Sequence, residues 1–289
     1  MPSLRHAHGV LTRRRFLAGA AIVAGTAAVY AGGIERHILS TVRKTVAIRN
    51  LPAPFHGLRI AQLSDFHFQD YDEPFFVRHA VDAVNAIAPD VVALTGDFIT
   101  QHADPFFRRN FREANACAEI LRGIKCDVRV CTLGNHDTPA KQQVSEALRE
   151  NDLTLLDNRY ISFDRRGERI WLAGIADAYY DVPNLPAAIP QRKENEPVIL
   201  LGHEPDFADI VAERGGVDLM LAGHTHGGQV RIPFLPALLL PAMGRKYTEG
   251  LFKVGAGTQL YVNRGLGCMH LPFRLNCPPE LTVLTLQPA

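Results

Sequence analysis

"DVVALTGD", residues 90–97, sets four apolar residues and a threonine after one aspartate and closes on a glycine and a second aspartate. The same form recurs on either side of it, as "LRIAQLSDFH" (58–67), "DVRVCTLGNHD" (127–137), "PVILLGHEPD" (197–206) and "VDLMLAGHTH" (217–226). Segments with helical spacing follow at Phe75–Ile87, Pro105–Leu121, Lys141–Glu150 and Phe207–Arg214. Apolar runs of this length, separated by helical spacers, predict strands buried on both faces in βα units. Polar residues at the carboxyl ends of such strands lie where α/β sheets place their sites. The stretch 153–175 alternates and contains "RRGE", so it reads as an antiparallel hairpin, and "LYVNRG" (260–265) and "LTVLTL" (281–286) read as further strands. Two packed sheets with helices outside is the simplest assembly, without an internal repeat or a clear second domain boundary.

The 289 residues are 47% apolar and 21% charged with a net charge of +1, an ordinary globular composition. No basic stripe lies beyond the first 15 residues. That excludes a general electrostatic grip on polynucleotide, and no specific nucleic acid is expected as a partner. The amino terminus is more informative. "TRRRFLAGA" (12–20) leads into Phe16–Ile34, 19 residues without a charge. Basic residues before an apolar segment form the pattern of an export signal or a membrane anchor. Thr12–Leu17 resembles the twin-arginine signal, which implies the twin-arginine export machinery as a partner. The expected location is therefore exported, periplasmic or extracytoplasmic, or membrane-anchored facing outside. Val29-Tyr30-Ala31 offers a cleavage site, so cleaved and anchored forms both stand. The implied organisation is a signal or anchor over 1–34, a connecting segment over 35–55 and one domain over 56–289. The five cysteines have no CxxC spacing, which leaves a zinc-ribbon or thioredoxin reading unsupported.

The strand-end clusters supply Asp65, His67, Asp97, Asn135, His136, Asp137, His203, His224 and His226. Any one is weak alone, since "DxH" and "GD" arise by chance and a buried histidine is usually just hydrogen-bonded. Five at successive strand ends are hard to assign to turns. Residues i and i+2 at a strand end share a side, so each DxH or HxH pair is expected to aim two ligands at one place. Imidazole, carboxylate and amide donors without thiolate suit manganese, iron or zinc.

The order DxH, GD, GNHD, a separate GH and GHTH resembles the calcineurin-like metallophosphoesterase superfamily over residues 56–286. "GHTHGGQVRIP", "NRGLG" and "CPPEL" resemble its bacterial exported or membrane-associated phosphodiesterase branch. The resemblance implies a four-layer αββα sandwich, an α/β fold of two mixed sheets flanked by helices. It implies two divalent ions, one held by Asp65, His67, Asp97 and His226, the other by Asp97, Asn135, His203 and His224. Hydrolysis of a phosphodiester or phosphomonoester by metal-activated hydroxide would follow. His136 would protonate the leaving group or stabilise the phosphoryl oxygens, with Asp137 holding its ring. Arg264 in "NRGLG" is a looser candidate for a phosphate contact. The "GDxxDRG" of protein phosphatases is replaced by "GDFITQHAD", which argues against a phosphoprotein substrate.

"RIPFLPALLLPAMGRKY" (231–247) follows the last histidine pair, and its three prolines predict a loop near the site. It is either a lip admitting a lipid-linked substrate or a crossover packed into the core. The first reading keeps open a lipid pyrophosphate hydrolase of the UDP-diacylglucosamine type. A non-catalytic, metal-binding envelope protein is the alternative from another class.

Overall fold

The run 90–97 does form a strand buried on both faces. In the computed structural model, which describes residues 12–68, 71, 74–101, 108–237 and 239–289, the chain begins with α1 (Arg13–Gly33). It continues through β1 (Ser40–Ile48), β2 (Arg59–Leu63), α2 (Pro74–Ile87), β3 (Val91–Thr95) and α3 (Arg108–Leu121). Next come β4 (Arg129–Thr132), α4 (Lys141–Glu150), β5 (Thr154–Leu155), β6 (Arg159–Arg165) and β7 (Glu168–Gly174). α5 (Leu185–Ala188), β8 (Val198–Leu201), α6 (Ala208–Arg214), β9 (Leu219–Ala222), β10 (Gly250–Val254), β11 (Thr258–Val262) and β12 (Glu280–Pro288) complete the order.

Two six-stranded sheets result, ordered β1-β12-β2-β3-β4-β5 and β10-β11-β9-β8-β7-β6. Strands β2 to β5 are parallel, while β12 runs antiparallel to β2 and parallel to β1. In the other sheet β7, β8, β9 and β11 are parallel, with β6 and β10 antiparallel at its edges. Alternate residues of each central strand serve different cores, as the two-residue period demands. Val91 and Ala93 of β3 face the core between the sheets, and Val92 and Leu94 face the core under α2, α3 and α4. Leu219 and Leu221 of β9 likewise meet the inter-sheet core, with Met220 and Ala222 turned to the core under α6. The order helix, sheet, sheet, helix is the expected αββα sandwich.

Three local expectations change. Residues 35–55, expected as a connection, contain β1, which pairs with β12 over its full length. Arg43 and Lys44 interrupt its apolar pattern because only its end is deeply buried, at Val46 and Ile48. Within 153–175 only β6 and β7 form the hairpin, turning through Arg166 and Gly167 with positive φ; β5 pairs with β4 in the first sheet. The helix expected from Pro105 is described from Arg108 onward, residues 105–107 lying outside the described residues. No disulfide forms among the described residues.

Most of the helix α1 stands clear of the sandwich, which it meets at its carboxyl end. Ala31 is its buried residue, and it is long and apolar enough to cross a membrane.

Candidate metal centre

Ligand-type side chains come from the carboxyl ends of five strands drawn from both sheets. β2 leads to Asp65 and His67, β3 to Asp97, β4 to Asn135 and His136, β8 to His203, and β9 to His224 and His226. None of these residues continues its strand. Asp65, His67, Asp97, His224 and His226 all take left-handed backbone, with φ of 51°, 43°, 54°, 72° and 51°. The expectation that i and i+2 share a side assumed extended chain; Asp65 and His67 do reach one group, but His224 and His226 part. What does position them is a ladder of loop hydrogen bonds. The N–H of Asp65 donates to Gly96 at 2.9 Å, His67 N–H to Asp97 at 3.0 Å, and Gly223 N–H to His203 at 3.0 Å. Close approach explains two glycines. A Cβ at Gly134 would enter the Asp97 carboxylate, and one at Gly223 would enter Ser64 and Asp65.

Two groups of donors result, Asp65 with His67 and His226, and Asp97 with His203 and His224. In each, the ligand atoms lie within 4.8 Å of one another. Asp97 joins the groups, its Oδ2 standing 3.1 Å from His203 Nε2 and 3.6 Å from His67 Nε2. Across the first group His67 Nε2 and His226 Nε2 are 3.1 Å apart, and His226 Nε2 is 3.4 Å from Asp65 Oδ1. Two imidazole lone pairs at that distance repel unless a proton or a cation sits between them. Buried Asn135 Oδ1 makes no hydrogen bond, an expensive arrangement for a protein that binds nothing there. The donor set therefore fits a pair of divalent ions: Asp65, His67 and His226 fall in one group and Asp97, His203 and His224 in the other, while Asn135 lines the same cleft.

Three of the rings are held by their other nitrogen, as metal-binding imidazoles are. His67 Nδ1 lies 3.0 Å from Thr100 Oγ1, and His203 Nδ1 lies 2.6 Å from the Thr95 carbonyl. His224 is turned the other way, with Nε2 2.8 Å from the Ala242 carbonyl, so Nδ1 is the nitrogen it has to offer. Burial holds His67 neutral down to about 3 and His224 to about 4, and it depresses His226 well below the usual imidazole range. Neutral rings are the form that ligates. His203 is the exception: burial opposes its charge, yet Asp97 and Asp65 raise it well above the ordinary value. Burial also lifts Asp65 to about 6.

His136 lies against this centre. Its ring is 5.0 Å from that of His67 at 81°, its backbone N–H donates to Asp97 Oδ1 at 2.8 Å, and its Nδ1 has no partner. Asp137 does not hold that ring, contrary to expectation. Its carboxylate accepts three backbone N–H groups, from Phe98 at 2.9 Å, Ile99 at 3.2 Å and Gly134 at 3.0 Å. It thus clamps the Asp97 loop to the Asn135 loop. The reason lies in the turn after β4, which folds the Asp137 side chain back under the β3 loop rather than along the ring of its neighbour. Arg264 is also not delivered to the site. Its Nε donates to Glu280 at 2.6 Å and lies 3.6 Å from Glu249, and it is absent from the cleft lining.

The centre floors a cleft of about 530 Å³. Asp97, Asn135, His136, His224 and His226 form one side, and Leu239, Pro241, Met269 and Phe273 face them. The apolar run is therefore not a crossover packed in the core: Leu239 to Pro241 wall the cleft, while Phe234, outside that lining, is fully exposed and Leu239 is 80% exposed. Carbonyls such as Ala242 and Thr95, which orient the rings, were not foreseeable because a backbone oxygen leaves no mark in the sequence.

Comparison with known proteins agrees with this chemistry. The family model "Calcineurin-like phosphoesterase" matches residues 58–228. The chain is 32% identical to the uncharacterized metallophosphoesterase YkuE of Bacillus subtilis, covering 96% of this chain and 98% of that protein. It is 28% identical to the phosphodiesterase YaeI of Escherichia coli, covering 96% of this chain and all of that protein (100%). Among solved structures, the NAD nucleotidase NadN of Haemophilus influenzae aligns at 18% identity and a TM-score of 0.45, over 72% of this chain and 45% of that one.

Proposed function

The chain belongs to the calcineurin-like phosphoesterase family, and from that premise we propose how this metallophosphoesterase uses its centre. One divalent ion would be held by Asp65, His67, Asp97 and His226, and a second by Asp97, Asn135, His203 and His224. The reaction is hydrolysis of a phosphodiester or a phosphomonoester, and similarity to a phosphodiesterase favours the diester. The single observation that carries this reading is the pair of donor groups interleaved at Asp97 on the floor of an open cleft. When bound, two such ions supply Lewis acidity toward water and toward the phosphoryl oxygens. Manganese, iron and zinc all suit the donors.

The chain's own residues do the rest. Asp97 keeps both donor groups in register through its two neighbouring imidazoles and through the His136 N–H. Thr100, Thr95 and the Ala242 carbonyl fix which nitrogen of His67, His203 and His224 is available. His136 lines the cleft with an unpartnered Nδ1, which suits protonation of the departing oxygen. His136, which is assigned no metal, would be dispensable in a non-catalytic metal protein, and it stands at the cleft. Three arginines at the start of α1, together with its apolar length, favour passage through the twin-arginine export machinery and an extracytoplasmic location, with α1 as signal or anchor.

The test is turnover of a chromogenic phosphodiester by metal-loaded protein. Asp97→Asn is expected to lose bound metal and turnover together; full turnover with normal metal content would overturn the bridging role of Asp97.

A further inference from the structure

The carboxyl end of α1 docks directly on the wall of the cleft. The N–H of Arg274 donates to the Ala31 carbonyl at 3.1 Å, and Phe273 lies against Gly32 so closely that a Cβ there would collide with its ring. Phe273 is itself a cleft residue. One residue further on, Leu275 exchanges backbone hydrogen bonds with the strip before the apolar loop, accepting from Arg231 at 2.8 Å and donating to Gln229 at 3.0 Å. Gln229 Nε2 also donates to the carbonyls of Met269 and Leu271. From the helix end to Ile232 the path is thus continuous, and each step is a hydrogen bond or a packed ring.

Beyond that path lies a group of exposed apolar side chains. Phe234 is 105% exposed, Leu239 80%, Leu271 57% and Leu235 53%. Several such side chains on one rim are costly in water and mark an interaction surface. The helix beside it says what that surface meets. At 1.5 Å per residue, the 21 residues of α1 run about 31 Å, close to the hydrocarbon thickness of a bilayer. Arg13, Arg14 and Arg15 stand at its far end, and basic residues stay on the cytoplasmic side, which leaves the sandwich outside. A helix spanning the bilayer and ending at Gly33 holds the rim it touches at the membrane surface.

We propose that Phe234, Leu235, Leu239 and Leu271 dock into the outer surface of the bilayer that holds α1, and that the cleft takes the phosphoester headgroup of an amphiphile whose chain stays in that bilayer. This rests on the phosphoesterase reading and adds the substrate class. The apolar wall, Leu239 to Pro241 with Phe273, contacts the chain; the polar floor, Asn135, His136 and His224, meets the phosphoryl group. Hydrolysis adds water across the phosphorus–oxygen bond, leaves one phosphoryl-bearing product and one alcohol, and needs no further reactant.

The experiment uses the full chain reconstituted in vesicles of phosphatidylethanolamine and phosphatidylglycerol, loaded with manganese. Two substrates share one leaving group and differ in their tail: ethyl 4-nitrophenyl phosphate and hexadecyl 4-nitrophenyl phosphate. Wild type is expected to favour the hexadecyl diester in kcat/KM by about tenfold or more. Phe234→Asp combined with Leu235→Asp is expected to bring that ratio close to one while leaving the ethyl diester unaffected, since neither residue lines the cleft. Phe234→Trp gives a second readout, a blue-shifted emission quenched by brominated lipid, measured in a Trp171→Phe background. A wild-type ratio near one, a ratio unmoved by the double variant, or an indole emission from Phe234→Trp that is blind to brominated lipid would each overturn the proposal. Failure of wild type on both substrates, with the lipid-sensitive signal present, would instead overturn the phosphoesterase reading on which the substrate class rests.

Discussion

Replacing Asp137 by asparagine separates two roles that look alike on paper. If Asp137 oriented the His136 ring, Asp137→Asn would lower turnover and leave stability untouched. The geometry points elsewhere, because both carboxylate oxygens face backbone N–H donors: Phe98 and Ile99 on Oδ1, Gly134 on Oδ2. Burial and the nearby charge of Asp97 raise this carboxyl to about 8 against the pull of the Gly134 and Ile99 N–H donors, so the comparison is made at pH 9, where it is ionised. Asparagine keeps one acceptor oxygen for Phe98 and Ile99 and sets an NH₂ opposite the Gly134 N–H, 3.0 Å away. One hydrogen bond to a charged group is lost, about 1.5–3 kcal/mol, and buried donors are left facing each other, about 1–3 kcal/mol more. The sum of roughly 2.5–6 kcal/mol corresponds to a fall in Tm on the order of 10 °C for a chain of this size. Because the clamp ties the loop of Asp97 to that of Asn135, bound metal should fall with it. Differential scanning calorimetry and elemental analysis on the same preparation measure both. A Tm within 1 °C of wild type, with full metal and reduced turnover, would refute the clamp and restore the ring-orienting role.

The other expectations are shorter. His136→Gln should keep both ions and lower kcat by about 10²–10⁴-fold, the range of a lost general acid, checked by steady-state kinetics beside elemental analysis. Metal binding near pH 7 should release about one proton, because Asp97 and Asp65 hold His203 charged before the metal arrives; calorimetry in buffers of different ionisation enthalpy measures it. Below about pH 6, Asp65 also takes a proton in the metal-free protein, so affinity should fall more steeply as pH drops, up to tenfold per unit for that one group. His67 and His224 stay neutral to about 3 and 4 and add nothing to that slope. Gly223→Ala should abolish metal binding while Gly257→Ala, which meets nothing within 4 Å, should leave it intact.

The sheets were legible because burial on both faces writes a continuous apolar run, and β2, β3, β4, β8 and β9 all carry one. β1 was not legible: it lies at the edge of its sheet, and only its last residues are fully buried, so charge interrupts its pattern. The donor residues were legible as a set because imidazole, carboxylate and amide at five strand ends have no common structural cause. Asp137 and Arg264 show the limit of that reasoning. Each has the right chemistry and the right neighbourhood in sequence, yet a side chain's direction depends on turns a few degrees of backbone away. For Asp137 the competing partners were backbone N–H groups, and for Arg264 they were Glu280 and Glu249, distant in sequence or invisible in it.

Asp65 and His67 share one donor group although both are left-handed, whereas His224 and His226 serve different groups. In extended chain they would lie on one side and compete for a single place. With φ of 72° and 51° about Thr225 the chain coils instead, turning His226 toward His67 and His224 toward His203. Such residues cost about 1–3 kcal/mol each unless their surroundings fix them. Here the surroundings include the apolar loop, because the Ala242 carbonyl holds Nε2 of His224 and so exposes its Nδ1. The segment that walls the cleft with Leu239 and Pro241 therefore also sets the tautomer of a donor at its floor. A displacement of that wall has to reach the donor group through one hydrogen bond, which couples the wall of the cleft to the donors at its floor.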